Sequence, residues 1–142
     1  MSKKTLKALA QQMSGIDIAM FSTHTTGGQT ATRPMSNNGE VEYDGTSYYF
    51  SWEKSRIVKD IEKNNKVSLA FQTKKGLYVA VQGTAKLTDD KTRMTEHWTP
   101  DLEQWFKDGV DTPGVVMIEV NAKRIRYWDT ESKAYSEGEI DL

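Results

Sequence analysis

The chain contains no cysteine, which excludes disulfide staples, zinc ribbons, thiolate catalysis and iron–sulfur clusters. It has only two histidines, His24 and His97, and neither sits in an HxxxH or HExxH pattern, so no metal ligand set is read from them. The GxSxG elbow, the GxxxxGKS loop and the GxGxxG fingerprint are also missing, which removes the hydrolase, P-loop and Rossmann readings. Long apolar runs are lacking too. The longest, residues 77–81 and 115–118, are far too short to cross a bilayer. Neither sign of charge dominates: 19 basic residues face 20 acidic ones. A net charge of −1 supplies no global field for nucleic acid or an anionic membrane. The first residues carry lysines but no apolar stretch and no cleavage pattern of a secretory signal, so a cytoplasmic location is expected.

What is present fits a soluble globular chain: 37% hydrophobic and 27% charged over 142 residues. That length predicts one domain, 1–142, with a single real core. Leu6, Leu9, Ala10 and Met13 line one face of a helix expected within residues 1–14. Residues 16–25 alternate with period two and read as a strand. The turn Thr25-Thr26-Gly27-Gly28-Gln29 folds residues 30–36 back on it as a hairpin, and Pro34 marks that second strand as an edge. Residues 41–43 and the aromatic run 47–52 are expected to be extended. Ile57, Val58 and Ile61 then mark a helix capped by Ser55, with Lys59, Asp60, Glu62 and Lys63 toward water. Residues 66–73 and 77–87 read as strands, 89–98 and 101–106 as helices, and 115–120 with 124–128 as the last extended stretch. From Asp129 onward five acids face one lysine, and residues 130–142 read as an acidic, loosely held tail. Hairpins dominate this order, which points to a small β-barrel, closed or partly open, with helices packed on it.

Two stretches carry candidate chemistry. In Phe50-Ser51-Trp52-Glu53-Lys54-Ser55-Arg56 a strand runs into a helix start with two cations and two hydroxyls. Unpaired N–H groups and the helix dipole favour an anion there, and phosphate suits it well. An ordinary capped helix with solvated basic residues explains the same pattern. In Ala31-Thr32-Arg33-Pro34-Met35-Ser36 the proline frees backbone that can hydrogen-bond a planar heterocycle; alone, the stretch reads equally as an edge strand with a surface arginine. The aromatics Tyr78, Trp98, Trp105 and Trp128 suit a core or an interface as well as a ligand platform.

Taken in order, Arg33-Pro34-Met35, FSWEKSRIVKDIEKNNKVSLAF, VQGTAKL and Tyr127-Trp128-Asp129 resemble the pyridoxamine 5′-phosphate oxidase-like flavin-binding split barrels, and within them the general stress protein branch. The resemblance covers residues 16–129. It implies a mainly β fold, a six-stranded antiparallel split β-barrel with peripheral helices. It implies bound FMN, with FAD or a deazaflavin as alternatives, in a homodimer holding the cofactor at its interface. On that likeness Arg33, Pro34, Met35 and Ser36 lie along the isoalloxazine ring, mainly through backbone. Phe50 and Ser51 match positions beside the flavin, and Lys54, Ser55 and Arg56 match the phosphate turn. Where the oxidases place a second cation after the arginine, this chain has Ile57, and Lys54 stands on the other side. Tyr78 matches a flavin-contacting glutamine, and Trp128 a tryptophan that reaches the cofactor from the partner subunit. The implied function is flavin-dependent redox chemistry of unknown substrate; the alternative is a non-catalytic flavin-binding or flavin-storing stress protein. A barrel for single-stranded nucleic acid is a third reading, opposed by the charge balance. No catalytic acid–base pair is read from the sequence.

Overall fold

A computed structural model describes residues 4–39 and 41–142. Its elements are α1 (Leu6–Gln12), β1 (Ile18–His24), β2 (Thr30–Ser36), β3 (Thr46–Trp52), α2 (Arg56–Lys63), β4 (Lys66–Gln72), β5 (Leu77–Thr88), α3 (Lys91–His97), 3₁₀ turns at Pro100–Gln104 and Gly109–Asp111, β6 (Val115–Asp129) and β7 (Ser136–Asp141). All strand pairings are antiparallel, in the order β2-β1-β4-β5-β6-β3, with β7 added on β6.

The six strands of the expected barrel are present, and three of the finer expectations need correction. Residues 41–43 are not a strand; turn-rich Asn37-Asn38-Gly39 and Asp44-Gly45 bracket too short a run to pair. Residues 101–106 form no α-helix, because Pro100 opens a single 3₁₀ segment there. The acidic tail is no loose loop, since β7 adds a seventh strand. Of the expected N-terminal helix, positions 1–3 lie outside the described residues.

The core lies inside the sheet. Ala19 and Phe21 of β1, Val67, Leu69 and Phe71 of β4, Val79 and Val81 of β5, and Ile125 and Tyr127 of β6 are all buried there. Alternation puts Ile18, Met20, Tyr78 and Trp128 on the opposite, outer face. Ile57, Val58 and Ile61 seat α2 against the core, where it packs on β1, β3 and β5. The aromatic run of β3 is explained by burial on both faces. Tyr49 points into the barrel, edge-on to Phe21 at 5.3 Å. Phe50 points outward into a second cluster with Met94, Leu102, Phe106, Val115 and Met117.

The ladder between β5 and β6 is broken at one point. Gln82 pairs with Arg124 but Gly83 pairs with Ala122, so Lys123 is an extra residue in β6. Before this bulge the even-numbered Ile118, Val120 and Ala122 point inward; after it the odd-numbered Ile125, Tyr127 and Asp129 do. A Cβ at Gly83 would overlap the backbone carbonyl oxygen of Asn121, so only glycine fits opposite the bulge.

Candidate functional site

β2 and β3 stand at the two ends of the sheet order, and each pairs with one neighbour only among the described residues. The barrel is therefore open between them. The two stretches singled out in sequence, Arg33–Ser36 and Phe50–Arg56, form the two lips of this opening. Arg33 of the first stretch lies within electrostatic reach of Arg56 of the second, and 3.8 Å from Asp60 on the same helix as Arg56.

At the β3 lip, Ser55 caps α2 by accepting from the Val58 N–H at 3.4 Å, and its Oγ lies 3.0 Å from Ser51 Oγ. The first turn of α2 carries no acidic side chain. The positive end of the helix dipole and the Arg56 charge consequently add rather than cancel. Lys54 and Arg56 are exposed, with Lys54 on the turn just before the cap. Phe50 offers only main chain to the opening, because its ring packs 4.8 Å from Trp98 in the second cluster.

At the β2 lip, Pro34 is exposed on the outer side, while Arg33 and Met35 turn inward. The Arg33 guanidinium donates to Thr23 Oγ1 at 2.9 Å and to the Phe21 carbonyl at 3.3 Å. Thr23 in turn donates to Asp60 Oδ2 at 2.7 Å, and Asp60 lies 3.8 Å from Arg33 Nη2. Burial lowers the Arg33 pKa from its ordinary value; Asp60 raises it and the neighbouring Arg56 lowers it further. This network pins α2 to the sheet and sets two arginines near each other with one carboxylate between the elements.

The helical pattern sets Asp60 toward water, yet its side chain turns to the sheet and the residue is only 7% exposed. Its position three residues after Ile57, on the same helical face, is the available signal. Thr23 gives no signal of its own, since its role depends on a helix 37 residues further on.

Tyr78 and Trp128 are not part of this opening. They pair with each other across β5 and β6 on the outer face. With Ile18 and Met20 they line a shallow concavity of about 990 Å³ that no residue of the 50–56 turn touches. Ser51 pairs with Val116, and about 40 Å of strand separates that position from Trp128. Arg126 lies over the Trp128 ring at 5.1 Å. Ile18, Met20 and Tyr78 are 52%, 40% and 45% exposed, an apolar face uncovered in the single chain. Among the described residues no cluster of His, Asp or Glu could hold a metal, and no helix is long and apolar enough to cross a membrane.

An antiparallel sheet curled on itself and open between its two edge strands is a split β-barrel. The chain belongs to the family described as pyridoxamine 5′-phosphate oxidase like, whose pattern matches residues 4–138. Solved structures share the fold at low identity. General stress protein 26 from Bacillus anthracis str. Sterne is 22% identical, with 96% of this chain and 98% of that chain covered and a TM-score of 0.77. The general stress FMN/FAD binding protein from Xanthomonas citri is 19% identical, with 99% of each chain covered and a TM-score of 0.76. A protein related to general stress protein 26 from Clostridium acetobutylicum is 20% identical, with 94% and 90% covered and a TM-score of 0.75. No curated protein matches the chain.

Proposed function

We propose that this protein binds FMN in the opening between β2 and β3 and serves as a flavin-dependent oxidoreductase of the general stress type. The observation that carries the reading is the start of α2, whose first turn holds no acid: Arg56 there lies within electrostatic reach of Arg33, with Lys54 and the hydrogen-bonded Ser51–Ser55 pair beside it in the chain. A dianionic phosphate suits that combination of dipole, cations and hydroxyl donors. The free edge of β2 then supplies backbone groups to the ring. Bound flavin would supply the redox chemistry, with the protein supplying position and charge.

The working form is a homodimer. Trp128 and Tyr78 lie too far along the sheet to reach the phosphate turn of their own chain, and they sit on the uncovered apolar face. A second copy packed on that face would bring both aromatics to the cofactor. FAD and a deazaflavin share the phosphate and ring that this opening suits, and chromatography of the released cofactor distinguishes them.

One observation favours a non-catalytic flavin carrier as the second reading. The ionisable and hydroxyl side chains at the opening are chiefly cations and serines; of the two carboxylates there, Asp60 is engaged by Thr23 and Arg33, and Glu53 lies on the exposed turn beside Gly114. Turnover of bound flavin by NAD(P)H separates the two. Binding itself is tested by titrating the purified protein with FMN: saturable quenching of flavin fluorescence is expected, and a flat titration refutes the proposal.

A further inference from the structure

Arg33 is an inward-facing arginine with only part of its donor set in use. A guanidinium carries five N–H groups. Nη1 donates to Thr23 Oγ1 at 2.9 Å and to the Phe21 carbonyl at 3.3 Å, whereas Nε and Nη2 make no hydrogen bond among the described residues. Nη2 stops 3.8 Å from Asp60 Oδ2, and the side chain keeps 22% of its surface exposed. After burial, and against the pull of Asp60, the charge of Arg56 is near enough to lower the Arg33 pKa as well. Two like charges with one carboxylate between them leave an excess of positive charge, and the open N–H groups of Arg33 can receive an anion.

The direction of the bonds around Thr23 is fixed by chemistry. An ionised carboxylate only accepts and a guanidinium only donates. Thr23 therefore gives its single hydroxyl proton to Asp60 Oδ2, at 2.7 Å, and turns a lone pair to Arg33. Thr23 is 1% exposed and Asp60 7%, so bulk water scarcely reaches either. A staple between α2 and β1 needs only the Thr23–Asp60 bond. The arginine on its other side is what that staple holds still.

Given the flavin binding proposed above, on which this rests, we infer that Asp60 and Thr23 are positioning residues for the phosphate. Asp60 orients the Thr23 hydroxyl, and that hydroxyl fixes Arg33 with its open N–H groups free for the anion that Arg56 also attracts. An acidic residue thus favours anion binding, which sets the sign of its effect apart from plain electrostatics. As a mere charge near an anion, Asp60 would repel the ligand, and its removal would tighten binding. As the anchor of the relay, its removal weakens binding. Asp60→Asn lets an amide N–H face Thr23, which turns the hydroxyl proton toward Arg33 and sets donor against donor.

Asp60→Asn, Thr23→Val and Thr23→Ser would be titrated with FMN and with riboflavin, read by flavin fluorescence. Asp60→Asn and Thr23→Val should each weaken FMN about tenfold, the lower end of what a lost charge-assisted contact costs, and leave riboflavin unchanged. Thr23→Ser keeps the hydroxyl and should bind FMN as the wild type does. In an Arg33→Gln background Asp60→Asn should no longer weaken FMN, because no guanidinium is left to position. Tighter FMN in Asp60→Asn, equal losses of FMN and riboflavin, or the same loss with and without Arg33 would each overturn the inference. Should Thr23→Val fail to fold, the isosteric Asp60→Asn carries the same test. The flavin-free, ¹⁵N-labelled chain gives a separate readout. Its Arg33 Nε–H signal, assigned through Arg33→Gln, should stand apart from those of solvated arginines and join them in Asp60→Asn. A distinct Arg33 signal with a flat FMN titration would overturn the phosphate role together with the flavin reading. An FMN-binding protein whose Arg33 signal is already that of a solvated arginine would overturn the positioning alone.

Discussion

Asp129 offers a test of how charge holds the far end of the barrel. Its side chain is fully buried, and its carboxylate meets Lys4 Nζ at 3.0 Å, the Glu131 N–H at 2.9 Å, Ser132 Oγ at 3.1 Å and Gln12 Nε2 at 3.3 Å. Burial alone would raise its pKa. The donors, with Lys4 foremost, outweigh burial and bring it from 3.8 down to about 2. A group that ionises that much more readily in the folded chain contributes about 2 kcal/mol of stability at neutral pH. Because the folded value is the lower one, this contribution is complete above about pH 5 and is lost as pH falls through about 2. Asp129→Asn removes the charge and turns an amide N–H₂ toward donors, so it should cost about 2–3 kcal/mol at pH 7. For a chain of this size that lowers the melting temperature by roughly 8 °C. Urea unfolding of both proteins, followed from pH 7 to pH 2, checks the argument: the gap between them should close as the wild-type carboxylate protonates. A gap that stays constant across that range would refute the electrostatic account and leave only a packing defect.

The phosphate turn predicts that Lys54→Ala and Arg56→Ala each weaken FMN about ten- to a hundredfold while leaving riboflavin nearly unchanged, measured by fluorescence titration. Equal losses for both ligands would mean that these residues only support the fold. On the outer face, Met20→Asp should shift the protein from dimer to monomer in light scattering, since it buries a charge in an apolar interface; a wild-type protein that is monomeric at micromolar concentration would count against the dimer itself. Oxidation of pyridoxamine 5′-phosphate by flavin-loaded protein should be inefficient. Residues 129–139 contain four acids and no arginine or histidine to hold a second phosphate. Formation of pyridoxal 5′-phosphate at an ordinary enzymatic rate would overturn that expectation.

The parts of the fold that are legible in sequence are those with local signals. The β1–β2 hairpin announces itself by its glycine turn, α2 by Ser55 and the spacing of Ile57, Val58 and Ile61, and the outer-edge status of β2 by Pro34. β7 is not legible because its reasons are across the sheet. Arg124 and Arg126 of β6 face Asp141 and Glu139 in register, with Arg124 Nε 3.1 Å from Asp141 Oδ1. Acids that look like a solvated tail in one dimension are cross-strand partners in three. Gly138 completes the fit, since a Cβ there would lie 2.7 Å from Tyr127 Cζ. The candidate site shows the same division. The proposed phosphate turn is contiguous and can be read; the Arg33–Thr23–Asp60 network joins three elements and cannot. The aromatics Tyr78 and Trp128 stand out in sequence, but only the resemblance gives them a role at the cofactor, because nothing local distinguishes an outward tryptophan from an inward one.

What distinguishes them is a parity. β6 carries Lys123 as one residue more than its partner strand needs, so inward positions are even-numbered before it and odd-numbered after it. Deleting that single lysine, an exposed residue of no evident chemistry, would make Arg124 follow Ala122 as a regular ladder requires and leave every later side chain on its present face. Trp128 would stay opposite Tyr78 on the outer face, and Asp129 would stay buried beside Lys4. What the deletion would remove is the local bend and added twist that an extra residue gives a strand. In this barrel the bulge, more than the identity of its residue, sets the angle at which the outer aromatic surface would meet a second copy.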